Sequence, residues 1–228
     1  KDQLGKKVSD QWASIGHSQG GHAVLGAAQY ASRAQLNYKG TVAIAPASNL
    51  ASILTIGEQQ ASTLPINYQI QMLAQLDTYT ALIVAGMQGH NKSVTYNEVF
   101  KNDTVILAPI AEAECSSTVG VQLGTAMSIY AAGIGQGTLT GYGRLQSGFM
   151  SIPVIDTFLK KDSQPGLAPL NKKVFIYQGE ADTTVPKAAT DLLIASMKAN
   201  GTSASNIQYT TSAAWDHGTV YTQNYTSF

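Results

Sequence analysis

The segment that most constrains the fold of this chain is Gly16-His17-Ser18-Gln19-Gly20, which lies between a predicted strand and a predicted helix. Residues 11–17 are typical of a short strand, and residues 20–34 carry alanine, valine and leucine at helical spacing. The run 41–46 is apolar and ends in proline, as a buried strand of a parallel sheet does. Strand, helix and strand in this order predict a βαβ unit and therefore an α/β protein.

The same pattern returns in the last third of the chain. Residues 173–179 form an apolar run that ends in glycine, and residues 207–211 are the last strand candidate. A helix is predicted over 187–199, because Pro186 stands at its start and Gly201 follows its end. With the strands near 12–16 and 41–45, about four strands are predicted, each with the composition of a buried strand.

The middle of the chain has a different pattern. Segments 66–86 and 118–132 carry apolar residues at helical spacing, and the stretch between them is polar. The glycine-dense segment 133–143 is predicted to be either the hinge of a lid or a tight loop. We therefore predict an α/β core interrupted by a mostly helical cap, with the core, the cap and the rest of the core at residues 1–49, 50–155 and 156–228.

Ser18 is the predicted catalytic nucleophile. A serine hydroxyl is a weak nucleophile and must be held exposed where a base can reach it. The G-x-S-x-G turn does this with a sharp strand-to-helix bend, in which glycines two before and two after the serine let the backbones pass closely. The N–H of Gln19, at the start of the helix, would lie where an oxyanion forms. The alternative is a glycine turn with a structural role only.

The chain has four histidines that could act as the base. His17 and His22 flank Ser18, where side chains usually pack beside the turn or face away. His90 lies in the polar part of the predicted cap. His217 follows the last strand, where a loop could turn its imidazole towards Ser18. We expect His217 to be the base, and the other three remain alternatives.

Asp182 is the predicted acid that orients this histidine. It follows the end of a buried strand, and the catalytic groups of α/β sheets gather at that edge. The alternative role is that of an N-cap for the next helix. Glu180 and Asp216 are the other candidate acids, although Asp216 adjoins His217 and its side chain is expected to point elsewhere. The chain order Ser18, Asp182, His217 is that of α/β-hydrolases.

The turn at 16–21, the acid loop at 179–186 and the histidine loop at 216–218 resemble the α/β-hydrolase superfamily. Within it, the chain resembles the fungal secretory lipases of the lipase A type, in which a helical cap lies between nucleophile and acid. Asp182 follows Ser18 by 164 residues, which leaves room for such a cap.

This resemblance implies an α/β-hydrolase fold and hydrolysis of carboxylic esters, acylglycerols above all, through an acyl-enzyme on Ser18. His217 would take the serine proton, Asp182 would orient His217, and the cap would cover the acyl site. Neither a metal nor an organic cofactor is implied. The alternatives are an esterase or acyltransferase that acts on small non-lipid esters, and a non-catalytic ligand-binding relative that kept the fold.

Charge and composition exclude several other classes. Fourteen basic and fourteen acidic residues give a net charge of zero, so the chain lacks the basic surface that nucleic-acid binding needs. No apolar run reaches the ~20 residues of a transmembrane helix. Only 12% of the residues are charged. Together with the Asn-x-Ser/Thr sequons at Asn91, Asn102, Asn200 and Asn224, this composition predicts a secreted glycoprotein.

The small number of strands leads to a further expectation. An α/β-hydrolase places several strands before its nucleophile, and a loop among them gives the second oxyanion donor. We therefore expect the N-terminal strands to be missing from this chain and to come from a second polypeptide, a cleaved N-terminal segment. Cys115 is the single cysteine, so it cannot form a disulfide within the chain, but it would be available to pair with that segment.

Overall fold

A computed structural model describes residues 7–226 of the chain. They form two compact units. The α/β unit comprises the described residues up to Ile53 and from Lys160 onward, and the helical unit comprises Leu54–Leu159. The predicted cap over 50–155 overlaps the helical unit, and its role as a cap stays a prediction.

The α/β unit is built on one sheet of four parallel strands in the order β1-β2-β3-β4. Each of the four predicted strands is present, which confirms the α/β class with a parallel sheet. The strands are β1 Gln11–His17, β2 Asn37–Ile44, β3 Lys173–Gly179 and β4 Ile207–Ser212.

Nine α-helices connect or flank these strands in the described part of the chain. Short 3₁₀ segments lie between several of them, and a π-helical turn spans Phe158–Asp162. The α-helices are α1 Gln19–Gln29, α2 Leu50–Ala61, α3 Ile66–His90, α4 Tyr96–Val99, α5 Asn102–Leu107, α6 Ser116–Ala132, α7 Pro153–Thr157, α8 Lys187–Ala199 and α9 Thr219–Thr222.

The core of the α/β unit lies on both faces of β3, because successive side chains of a strand point to opposite faces. On one face, Ile176 is fully buried in a cluster with Leu25 of α1 and Leu193 of α8. On the other face, Tyr177 packs with Val220 of α9. Burial of each large apolar side chain contributes about 1.5–3 kcal/mol, so these helices are fixed to the sheet mainly by this packing.

The two outer strands differ from their prediction as buried strands. Only β2 and β3 are largely buried, whereas β1 and β4 are half-exposed along their length. Ile15 of β1 is 54% exposed. The reason is their position, since β1 and β4 are the edges of the sheet among residues 7–226 and each pairs with one neighbour there.

In the helical unit, α3 and α6 pack closely against each other. Leu73 and Val84 of α3 and Leu123 and Met127 of α6 are almost completely buried. The approach depends on small residues, since a Cβ added to Gly124 would lie 3.4 Å from the Cβ of Ala74. These segments confirm the two helices predicted in the middle of the chain.

A charged network lies in the helical unit, where the Asp77 side chain is fully buried and that of Glu58 is 36% exposed. The guanidinium of Arg144 donates two hydrogen bonds to Asp77, at 2.6 and 2.9 Å, and two to Glu58, at 2.7 and 3.0 Å. Burial raises the pKa of Asp77 to about 6, although the attraction and hydrogen bonds of Arg144 oppose this rise. A buried charge that loses its partner is strongly destabilising, so the packing around Asp77 depends on Arg144.

The glycine-dense segment 133–143 is a tight loop, which was one of its two predicted forms. Gly137 and Gly141 have φ values of +86° and +87°, which favour glycine. The loop closes around Tyr130, whose hydroxyl donates to the carbonyl of Thr140 at 2.7 Å. A Cβ at Gly141 would lie 2.8 Å from that hydroxyl oxygen, so side chains are excluded there.

The four sequons differ in exposure. Asn102 and Asn200 are exposed, and Asn91 is partly exposed. Asn224 does not suit the predicted glycosylation, because it is only 8% exposed and its Nδ2 donates to the carbonyl of Val220 at 2.9 Å. A sequon requires an exposed side chain amide, and the short helix α9 withdraws this one.

Cys115 is exposed and makes no disulfide in the described chain, and its pairing with a second polypeptide stays a prediction. Among residues 7–226, no helix combines the length and the apolar character needed to cross a membrane.

Candidate active site

Ser18 occupies a strained turn between β1 and α1. Its φ of 60° and ψ of −119° lie outside the regions that a non-glycine residue prefers, at a cost of about 1–3 kcal/mol. Three backbone hydrogen bonds hold it there. Its N–H donates to the carbonyl of Ile44 at 2.8 Å, and its carbonyl accepts from the N–H groups of His22 and Ala47 at 3.1 and 3.2 Å.

Two glycines make room for this turn. A Cβ on Gly16 would lie 2.1 Å from the carbonyl oxygen of Gly20, and one on Gly21 would lie 2.9 Å from that of Ile44. Gly20 itself has no atom of the described residues within 4 Å of an added Cβ. The prediction that the glycine two after the serine provides the space is therefore wrong. Gly21 provides it instead, because it is the residue that faces the end of β2.

Gln19 is the first residue of α1, and the role of its N–H as an oxyanion donor stays a prediction. The first N–H groups of a helix have no acceptor within the helix, and they lie at the positive end of its dipole. This N–H is therefore available to an anion beside Ser18. A second donor from another polypeptide stays a prediction.

Asp182 lies in the loop after β3 and is only 4% exposed. Its Oδ1 accepts hydrogen bonds from the N–H groups of Thr184 and Val185 at 2.9 and 2.8 Å. Its Oδ2 accepts one from Nδ1 of His217 at 2.8 Å. The alternative role as a helix N-cap does not hold, because the N-cap of α8 is Pro186. One oxygen thus shapes the loop and the other holds the histidine.

His217 is the histidine that contacts a buried carboxylate. Because a carboxylate only accepts, Nδ1 carries the proton and Nε2 has the free lone pair that a base needs. The other candidate acids are engaged elsewhere. Glu180 accepts from the hydroxyl of Thr211, and Asp216 accepts from the N–H groups of the turn that follows it. Hydrogen bonds from Thr219 lower the pKa of Asp216.

The other three histidines have different positions. His22 is partly buried and its Nδ1 contacts the carbonyl of Ala47 at 2.7 Å, so it ties α1 to the segment after β2. His90 is exposed at the end of α3. Within residues 7–226, no group of three or more histidine, cysteine, aspartate or glutamate side chains could hold a metal ion.

His17 joins the nucleophile turn to the histidine loop. Its Nε2 lies 2.7 Å from the carbonyl oxygen of His217, and the two rings are 4.7 Å apart. A carbonyl only accepts, so Nε2 of His17 is the donor. Burial lowers the pKa of His17. The structure thus brings Asp182 to His217, and it brings His17, the neighbour of Ser18, to the same histidine loop. Among the described residues, no hydrogen bond joins Ser18 to His217.

Two supporting residues were not predicted from the sequence. A Cβ on Gly179, at the end of β3, would lie 2.2 Å from the carbonyl oxygen of Trp215, so the histidine loop crosses β3 only because this residue is glycine. Gln178 is fully buried and contacts Asp182. In the sequence, these two residues are only a polar residue and a glycine at the end of an apolar strand. That pattern does not by itself reveal either contact.

Comparison with solved structures shows the same fold in three hydrolases. A protein of Legionella pneumophila assigned to the hydrolases matches with a TM-score of 0.63 and 13% identity over 98% of this chain. The rice cell wall degrading esterase LipA of Xanthomonas oryzae matches with a TM-score of 0.63 and 14% identity over 96% of this chain. Candida antarctica lipase A matches with a TM-score of 0.57 and 12% identity over 93% of this chain. No protein-family model and no curated protein sequence matches the chain.

These matches confirm the predicted resemblance in fold to α/β-hydrolases of the esterase and lipase kind. The chain spans about half the length of the structures it matches, since it covers 56% of the Legionella protein, 54% of the esterase and 46% of the lipase.

The close approach at the turn gives a test of the site's architecture. We expect Gly16→Ala to lower the free energy of unfolding by about 1–3 kcal/mol, because its Cβ would overlap the Gly20 carbonyl and force the backbone apart. The matched control is Gly26→Ala in α1, where no atom lies within 4 Å of the new Cβ. It should stabilise the helix by about 0.5–1 kcal/mol. Urea unfolding measures both, and an unchanged Gly16→Ala stability would contradict the close approach.

Proposed function

We propose that the protein is a serine carboxylic-ester hydrolase that forms an acyl-enzyme on Ser18. The observation that carries this proposal is the 2.8 Å hydrogen bond between Nδ1 of His217 and Oδ2 of Asp182. It lies at the carboxyl edge of the sheet, where the strained turn also holds Ser18. A histidine held by a buried carboxylate, on the sheet edge that also carries a serine in a strained turn, supports this proposal, because such groups together activate a hydroxyl nucleophile.

In the proposed acylation step, Nε2 of His217 takes the proton of the Ser18 hydroxyl while Oγ attacks the ester carbonyl carbon. The negative charge that develops on the carbonyl oxygen is stabilised by the N–H of Gln19. When the C–O bond of the ester breaks, His217 gives its proton to the leaving alcohol. Asp182 remains ionised throughout and stabilises the imidazolium that forms in between.

Deacylation repeats these roles with water as the nucleophile. His217 removes a proton from water as the water oxygen attacks the acyl carbon. When the tetrahedral intermediate collapses, the bond between the acyl carbon and Oγ of Ser18 breaks, His217 returns the proton to Oγ, and the carboxylic acid leaves. The reaction needs proton transfers and no redox step. The residues described here are sufficient for these proton transfers. The strained turn holds the Ser18 side chain at its tip. There the ester can reach Oγ during acylation, and water can reach the acyl carbon during deacylation.

Acylglycerols are the proposed substrates, and the helical unit is the proposed cap over their acyl chains. Candida antarctica lipase A and a cell wall degrading esterase share the fold, which supports an ester substrate. The chain leaves the α/β unit a few residues after the carboxyl end of β2, on the edge that carries Ser18.

Secretion is part of this proposal. Charged residues make up 12% of the sequence, and the sequons at Asn102 and Asn200 are exposed. Both features are typical of secreted glycoproteins, which acquire their glycans at surface loops. The sequon at Asn224 is left out of this proposal because its side chain is buried.

Substitution of the nucleophile and the base tests the reaction. We expect Ser18→Ala and His217→Ala to reduce kcat on a p-nitrophenyl ester by about 10⁴-fold or more, since each residue is required for the same step. Ser205→Ala and His90→Ala are matched controls at exposed positions and should keep the parent rate. A fluorophosphonate should label the parent at Ser18 and leave Ser18→Ala unlabelled.

Other results would redirect the assignment. Activity of Ser18→Ala within tenfold of the parent would exclude the proposed nucleophile. A folded parent that neither hydrolyses esters nor reacts with the fluorophosphonate would favour the non-catalytic ligand-binding relative.

The length of the acyl chain separates a lipase from an esterase. We expect kcat/KM on p-nitrophenyl esters to rise with acyl length from two carbons to twelve or more, because each buried methylene group contributes about 0.8 kcal/mol. The measurement is a series of such esters at fixed ionic strength and detergent. A maximum at two to four carbons would instead indicate an esterase or an acyltransferase for small esters.

A second polypeptide is proposed to complete the sheet beside β1. Among the described residues, β1 pairs with β2 alone, and Ile15 on it is 54% exposed. An apolar edge strand with unpaired backbone groups is a site where further strands add. We propose that the second polypeptide supplies these strands and, with them, the second oxyanion donor.

Mass spectrometry of the purified protein tests this completion of the sheet. Native spectra should show the chain of 24.1 kDa bound to a second polypeptide, and denaturing spectra should separate the two. If Cys115 links them, the separation should require a reductant. A single species of 24.1 kDa that is folded and active alone would refute this proposal.

A further inference from the structure

Gln178 carries a fully buried primary amide near the end of β3. It is the sixth residue of β3, follows Ile176 and Tyr177, and has no exposed surface. A buried amide that lacks partners costs about 1–3 kcal/mol, so its hydrogen bonds have to compensate for its burial. The sequence position is also notable, because the residue lies immediately before the loop that carries Asp182.

All of these hydrogen bonds are made within the α/β unit. Nε2 lies 2.9 Å from the carbonyl oxygen of Val185, 3.2 Å from Oδ2 of Asp182 and 3.2 Å from the carbonyl oxygen of Gly179. Oε1 accepts from the hydroxyl of Thr190, on α8, at 2.7 Å. The three groups around Nε2 can only accept, whereas the threonine hydroxyl can donate, so this orientation of the amide is the one in which no two acceptors face each other. An amide nitrogen carries two hydrogens, so the three acceptors share them.

The contact with Asp182 falls on the oxygen that holds the histidine. Thr184 and Val185 fix Oδ1 of the carboxylate through their N–H groups. Oδ2 accepts from His217 and from Gln178. The same amide also binds the carbonyl of Val185, so the acid loop closes around it. Without Gln178, His217 would be the single donor to Oδ2 among the described residues. The carboxylate could then rotate together with the imidazole ring.

We propose that Gln178 is a positioning residue, whose amide, held by Thr190, fixes the Asp182 carboxylate in the orientation that orders His217. Its catalytic consequence rests on the proposed hydrolase function, but its effect on His217 does not. Thr190 acts one step further away, because its hydroxyl prevents the amide from turning its oxygen towards the carboxylate. Such a reversed amide would place two acceptors against each other and would push Asp182 away from its present position.

The test compares Gln178→Met, which keeps the length of the side chain, with Thr190→Val, which keeps the shape of the threonine. Gln164→Met is the matched control. Gln164 is another buried glutamine of the α/β unit, and it binds the N–H of Asn49 and the carbonyl of Pro165 rather than the acid loop. We measure kcat and KM on a short-chain p-nitrophenyl ester, the melting temperature, and the downfield proton resonance of Nδ1–H of His217.

For Gln178→Met we expect kcat to fall about 100-fold, the loss typical of a catalytic group displaced by about 1 Å, with KM within twofold. Thr190→Val should lower kcat about tenfold through the released amide. In both variants the Nδ1–H resonance should move or broaden. Gln164→Met should lower the melting temperature and leave both kcat and the resonance unchanged, as expected for the loss of a purely structural amide.

Two outcomes would overturn the inference. One is a folded Gln178→Met protein with the kcat and the resonance of the parent. If Gln178→Met does not fold, the other is a Thr190→Val protein in which kcat and the His217 resonance are both unchanged. Failure of the proposed function gives a different result. If Ser18→Ala keeps its activity, the hydrolase proposal fails, while the response of the His217 resonance still decides whether Gln178 positions Asp182.

Discussion

Parallel pairing of the four strands is the constraint on which the rest of the α/β unit depends. Because all strands run in one direction, their carboxyl ends lie along one edge of the sheet. Ser18 follows β1, Asp182 follows β3 and His217 follows β4, so residues that are far apart in the chain gather at this edge. The apolar cores on both faces keep the strands in register and thereby fix the distances between these residues.

Crowding of the backbone at this edge explains where glycine occurs. At Gly16, Gly21 and Gly179, an added Cβ would meet a carbonyl oxygen within 3 Å, and in each case the partner belongs to another element or to the next turn. The three glycines therefore allow the nucleophile turn and the histidine loop to reach the sheet without displacing it. Hydrogen bonds from side chains then set the finer positions, with His17 and Gln178 as the two clearest examples.

Much of this arrangement could be predicted from the sequence, because strand and helix patterns and the turn around Ser18 are local signals. The pairing of His217 with Asp182 also followed from their positions after strands. The roles of Gln178 and His17 could not be predicted, because each depends on which carbonyl or carboxylate the fold brings near. The burial of Asn224 was missed for the same reason, since a sequon says nothing of the short helix that withdraws it.

The charged network of Arg144 has a consequence for how the helical unit can vary. Its guanidinium joins Glu58 across 86 residues, and these two residues lie near the two ends of that unit. The network thus closes the insertion on itself, and the chain between its ends no longer acts as one long flexible connection. Each doubling of the length of an open loop adds about 0.6 kcal/mol to the entropic cost of bringing its ends together. Because the network shortens the effective loop between β2 and β3, it lowers this cost for the pairing of the two strands. Changes between Glu58 and Arg144 that keep Asp77 and this network should therefore leave the pairing of these two strands intact, so the unit is a module that selection can remodel separately.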